Sequence, residues 1–162
     1  MFLHKKDLDT RSDFAKRLDD PSSDRRVAER AIDRIKMFAR RCFDKASGSH
    51  GWDHTLRVFR LCEMLGPVEN ADMDVLSAAA YLHDIGIHEA ERKYNSTAAR
   101  YQHKEGPPIA RDILTKLGAR QELIDEVCDI VSHHHHPREE ETLNFKILYD
   151  SDLIVNLEEH QK

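Results

Sequence analysis

The stretch "AAAYLHDIGIHEA", residues 78–90, closes an apolar run with two polar groups side by side, His83 and Asp84. An aspartate and an imidazole at the end of a buried helix are costly unless they are paired or bound to a metal. Either the run ends in solvent, or the pair consists of metal ligands. The choice depends on what the rest of the chain can bring beside it.

Upstream, residues 72–84 start on an aspartate cap and carry small apolar residues, which predicts a helix buried on most sides. Residues 53–65, "DHTLRVFRLCEML", form a second helix ended by Gly66-Pro67. Residues 25–45 place Val27, Ala31, Ile35, Phe38 and Cys42 at helical spacing, and "ASGSHGW" then breaks the chain. Downstream, "IGIHEAERKYNS" reads as loop, with Gly86 as a helix stop. Residues 96–117 form a helix with an interruption at "EGPPIA", where Pro107 and Pro108 suit the first turn of a new helix. Helices over 120–134 and 140–159 complete the chain, the first of them stopped by Pro137. There is no strand alternation and no internal repeat. The fold class is all-α, a bundle of five to seven helices.

The length of 162 residues suits one domain over 24–162, preceded by a loosely packed arm over 1–23 that ends in "DDPSSD". That size buries a core without disulfides. Cys42, Cys62 and Cys128 are odd in number and lack CxxC spacing, so they read as reduced thiols of a cytoplasmic protein. No apolar run spans a bilayer, and the charged N-terminus is not a signal peptide. Residues 1–50 carry 13 basic against 9 acidic side chains, and residues 51–162 carry 12 against 21. The acidic main body argues against nucleic acid as a partner and suits a site that holds cations. A homodimer is compatible with this composition.

Eleven histidines stand in the chain. His4, His50, His88, His136 and His160 lie in polar, loop or terminal contexts and read as surface residues. His54 opens a helix, His83 and Asp84 close another, and Asp152 sits among Ile147, Leu148, Leu153 and Ile154. Two imidazoles and two carboxylates form a mixed N/O shell for one or two divalent ions such as Mn, Fe, Zn, Ni or Mg. Asn156 lies one turn beyond Asp152 and can orient it. Arg57 lies one turn beyond His54 and can reach a substrate phosphate. Glu105 is a candidate oxygen ligand or general base. Lys93, in the segment after "HDIG", is a candidate phosphate contact.

The order His54, His83-Asp84, Asp152, with "HDIG" at 83–86 and "SDLIVNL" at 151–157, resembles the HD-domain superfamily of metal-dependent phosphohydrolases. The match to "ADxLxNL" favours Asp152 over Asp150. The resemblance implies that His54, His83, Asp84 and Asp152 hold a metal and that Asp84 or Glu105 accepts a proton. Binuclear relatives carry one or two histidines where this chain has "IVSHHHHP", which implies His133 first, His134 second and His135 third for a second metal. Their "HxxxG" places a ligand where this chain has Gln102, with His103 one residue off.

The implied activity is hydrolysis of a phosphate ester or anhydride of a nucleotide or small phosphorylated metabolite. The alternatives are a metal-retaining regulatory module without turnover and a di-iron oxygenase of the same scaffold. No GxGxxG, GxxxxGK[ST] or GxSxG motif is present. The absence of "GYP" after the histidine run argues against the cyclic-di-GMP branch.

Overall fold

The computed structural model describes residues 21–45 and 50–161. They form seven helices: α1 (Pro21–Asp44), α2 (His50–Val68), α3 (Met73–Leu82), α4 (Ile87–Tyr94), α5 (Ala99–Lys116), α6 (Gln121–His133) and α7 (Leu143–His160). Among the described residues there is no strand, and no helix is long and apolar enough to cross a membrane.

Helix α3 is the centre of the bundle. Asp72 caps it, its carboxylate accepting from the backbone N–H of Asp74 (3.1 Å) and Val75 (3.3 Å). Every residue from Val75 to Leu82 is buried, so α3 is enclosed by neighbours on all sides. Ile35, Ala39 and Phe43 of α1 cover one side, at the i, i+4, i+8 spacing of a helix face. Val58 and Cys62 of α2, Val127, Ile130 and Val131 of α6, and Phe145 and Leu148 of α7 close the others. Fully burying a side chain such as Leu76 or Leu148 contributes roughly 2–3 kcal/mol. The frame around the end of α3 is therefore rigid.

Three expectations are corrected here. The segment after "HDIG" is not a loop: Ile87–Tyr94 is helical, ending at Asn95 in the left-handed conformation (φ 50°). Gly86 does not stop a helix, because its φ of −80° keeps the chain in the right-handed region. Its hydrogen atom is needed for space. A Cβ at Gly86 would lie 2.5 Å from the Gln102 carbonyl oxygen and 2.6 Å from the Gly106 nitrogen, so α5 crosses the turn in backbone contact. Second, α5 runs unbroken through Pro107 and Pro108. The two prolines forgo two intrahelical bonds, and glycine at 106 relieves the steric conflict before a proline. Third, α2 continues past Gly66-Pro67 to Val68. The predicted arm lies outside the described residues up to residue 20, and residues 21–23 belong to α1.

Candidate metal centre

Residues 83–86 form a tight turn after α3, with the N–H of Ile85 donating to the Leu82 carbonyl (3.1 Å) and that of Ile87 to the Asp84 carbonyl (3.1 Å). Adjacent residues of a regular helix diverge by about 100°. The tightened turn lets His83 and Asp84 face the same space.

The Nδ1–H of His83 donates to the Ala80 carbonyl (2.8 Å), so Nε2 is the nitrogen that carries the second proton or, once that proton leaves, the lone pair. That Nε2 is buried and has no hydrogen-bond partner among the described residues. It points at carboxylate oxygens, Asp84 Oδ2 at 3.3 Å and Asp152 Oδ1 at 3.7 Å. His54 joins from α2, its Nε2 lying 2.8 Å from Asp152 Oδ1 and 3.7 Å from Asp84 Oδ2. Asn156 Nδ2 donates to Asp152 Oδ1 (3.1 Å), the orienting bond expected from their one-turn spacing. The four residues His54, His83, Asp84 and Asp152 converge from the two helices α2 and α7 and the turn after α3.

The other oxygen of Asp84 faces a second group. Asp84 Oδ1 lies 3.2 Å from His134 Nε2, and the Nδ1–H of His134 donates to the Val131 carbonyl (3.2 Å). The ring of His103 lies 5.0 Å from that of His134, and its Nε2 is buried without a partner among the described residues. His135 completes the group, with one ring nitrogen of each of His103, His134 and His135 within 4.8 Å of the others. His135 Nε2 is also 3.7 Å from Asp152 Oδ2. The Asp84 carboxylate therefore stands between two donor clusters, one oxygen turned to each.

Electrostatics separates the clusters. Burial opposes charging of His83 and His54, yet the carboxylates outweigh it, Asp84 at His83 and Asp152 at His54, and both imidazoles titrate above their ordinary value. Burial likewise pushes Asp84 upward, but His83 and then His134 outweigh it and hold the carboxyl well below its usual range. Protons on these imidazoles thus neutralise the carboxylates when no cation does. In the second cluster, burial and the surrounding imidazoles push His103 and His135 down to about 4. Both are neutral at physiological pH and present free lone pairs, the form a metal requires. Two orphaned imidazole nitrogens, a shared carboxylate and neutral histidines fit divalent transition metals, one ion in each cluster.

Other predicted residues are placed elsewhere. His133 turns away from the centre: one ring nitrogen contacts Glu141 Oε1 (2.7 Å), the other donates to the Asp129 carbonyl (2.6 Å), and the ring stacks on Phe145. Glu105 accepts from Lys93 Nζ (2.7 Å) and from Tyr94 Oη (2.8 Å), so Glu105 and Lys93 neutralise each other between α4 and α5. Neither lines the cavity of about 330 Å³ that opens onto His54, Asp84 and Asp152. Arg57 is held by Glu158 and by Glu159 Oε1 (3.0 Å) rather than pointing freely at that cavity. His135, third in the expected order, does line it. Sequence reasoning missed Glu159, whose Oε2 lies 3.2 Å from His54 Nδ1. Its signal was the spacing Asp152, Asn156, Glu159, one face of a single helix.

The family model for the HD domain matches residues 51–157, well over half of the chain. No solved structure matches the chain.

Proposed function

This chain belongs to the HD-domain family, and we propose that it is a metal-dependent phosphohydrolase acting on a phosphate ester or anhydride of a nucleotide or small phosphorylated metabolite. The observation that carries the reading is the Asp84 carboxylate, with Oδ2 toward His83 and Oδ1 toward His134. Divalent cations bound there supply Lewis acidity to phosphoryl oxygens and to an attacking water.

The chain's own groups do the rest. His54, His83, Asp84 and Asp152 would hold one ion, and His103, His134 and His135, again with Asp84, would hold the second. Asn156 fixes the Asp152 carboxylate through its amide N–H. The cavity places Gln102 and His135 beside these groups, with Gly51 and Ile87 at its edge. The half-buried His135 ring can donate to a phosphoryl oxygen, whereas the Gln102 amide nitrogen already donates to the Thr97 carbonyl. Asp84, Asp152 and Glu159 are the carboxylates that line this cavity; Glu159 is engaged by Arg57 and Glu105 by Lys93 and Tyr94, which leaves Asp84 and Asp152 to accept a proton from a water there.

The test is a panel of nucleotide and sugar phosphates with Mn, Mg, Zn or Ni added, comparing wild type with Asp84→Ala. Metal-dependent release of phosphate that falls at least about a hundredfold in the variant is expected. Full activity in a folded Asp84→Ala protein would end this mechanism. Bound metal with no turnover on any phosphate would instead support a regulatory module. The histidine-rich second cluster also suits iron, and an absorption band in oxidised, iron-loaded protein would favour the oxygenase reading.

A further inference from the structure

We propose that Glu159, gripped by Arg57, is a positioning residue that fixes the His54 imidazole for metal binding. The inference rests on the metal-dependent reading above. It concerns a part of the chain that the family match does not reach, since that match ends at residue 157.

An imidazole gives a lone pair to a metal from one nitrogen while the other carries hydrogen, and the partner of that hydrogen sets tautomer and orientation. His83 and His134 solve this locally, each donating from Nδ1 to a carbonyl of its own helix three residues back. His54 differs. Its Nδ1 faces the Glu159 carboxylate at 3.2 Å, a partner 105 residues away. A carboxylate acceptor makes a stronger bond than a neutral carbonyl and raises the basicity of the opposite nitrogen.

Glu159 lies seven residues beyond Asp152, two helical turns, so the residue that orients His54 shares a helix face with a proposed ligand. Glu159 is more than a third exposed (37%) and would lose its aim without a restraint. Arg57, one turn beyond His54 on α2, supplies it: Nη1 donates to Glu159 Oε1 (3.0 Å), and Nη2 is held by Glu158. The two carboxylate oxygens of Glu159 are thereby divided between Arg57 and His54.

The test is calorimetric titration of metal-stripped protein with Mn, for wild type, Glu159→Ala, Glu159→Gln and Glu158→Ala. Circular dichroism of each metal-free protein checks that it is folded. Glu159→Ala is expected to weaken Mn binding about 10–100-fold. Glu159→Gln, whose amide oxygen still accepts from Nδ1–H, recovers most of that loss. Glu158→Ala, which removes the partner of Arg57 Nη2 but leaves Nη1 on Glu159 and has no bond to His54, keeps the wild-type affinity. Wild-type affinity in Glu159→Ala would overturn the proposal. So would an equal loss in Glu158→Ala, which would mark a mere brace between α2 and α7. A wild type that binds neither Mn nor, in the same titration, Mg, Zn or Ni would remove the metal-dependent reading itself, and this inference with it.

Discussion

Replacing Gly86 by alanine adds a single methyl group and is expected to damage both the fold and the metal centre. The new Cβ would meet Gln102 O at 2.5 Å, Gly106 N at 2.6 Å and Gly106 Cα at 2.9 Å. All three are backbone atoms, so no side chain can rotate away, and α5 must retreat from the turn by at least about 0.5 Å to reach even a 3.0 Å contact. Overpacking of this kind costs about 1–3 kcal/mol, and a clash with backbone on one side belongs at the upper end. At roughly 2–4 °C per kcal/mol for a chain of this size, Tm should fall by about 6–12 °C. The displaced strip of α5 includes the residue next to His103, so the second cluster opens away from Asp84. Melting curves with Mn titration of Gly86→Ala check both effects. A variant that melts within about 2 °C of wild type and binds the same number of ions would refute the close-approach argument.

His134→Ala should remove one of two bound Mn ions by elemental analysis, whereas His133→Ala should keep both and lose about 1–3 kcal/mol of stability through its bonds to Glu141 and Asp129. The reverse pattern would show that the histidine run is turned the other way. Lys93→Ala should leave KM for a phosphate substrate nearly unchanged, because Lys93 is engaged by Glu105 and Glu89; a large rise in KM would return it to the site. Above about pH 7.5, where the depressed His103 and His135 are neutral in both the folded and the unfolded chain, metal-free protein should lose thermal stability as pH rises. The raised values of His54 and His83 give stability that is complete below about pH 6.5 and is lost through the folded value, about 9 for His83. The lowered carboxyls Asp84 and Asp152 give stability present above about pH 4 and lost in acid. With saturating Mn the alkaline loss should disappear, since deprotonated imidazoles bind metal best. Scanning fluorimetry from about pH 7.5 to pH 10, with and without Mn, reads both trends, and a metal-free Tm that climbs with pH over that range would contradict the assignment.

The helices were legible where apolar periodicity was strong, as in residues 72–84 and 120–134, and least where glycine or proline was read as punctuation. Gly86, Gly66-Pro67 and Pro107-Pro108 each suggested an ending, but tertiary packing carries a helix or a tight turn through every one. Gly86 was informative for another reason, the approach of α5, which no local pattern reveals. The order His54, His83-Asp84, Asp152 was readable because these polar groups stand out against apolar neighbours and match the HD-domain pattern. The four-histidine run was not resolvable in sequence, since each step turns the side chain by about 100° and the register depends on where α6 ends. That end, at His133, sends His133 toward Glu141 and His134 toward Asp84. Glu105 and Lys93 look available in sequence because their mutual pairing bridges two helices, and the first of these, α4, has little apolar pattern to mark it as helical. The link from His54 to Glu159 spans most of the chain and exists only once α2 and α7 pack together.

The central claim is that Asp84 stands between two metal ions. Anomalous diffraction at the Mn edge, from a crystal grown with Mn, tests it most directly. Two peaks are predicted, one beside His54, His83 and Asp152 and the other beside His103, His134 and His135, with the Asp84 carboxylate between them. No peak on either side of Asp84, or metal found instead among Asp129, His133 and Glu141, would contradict the account.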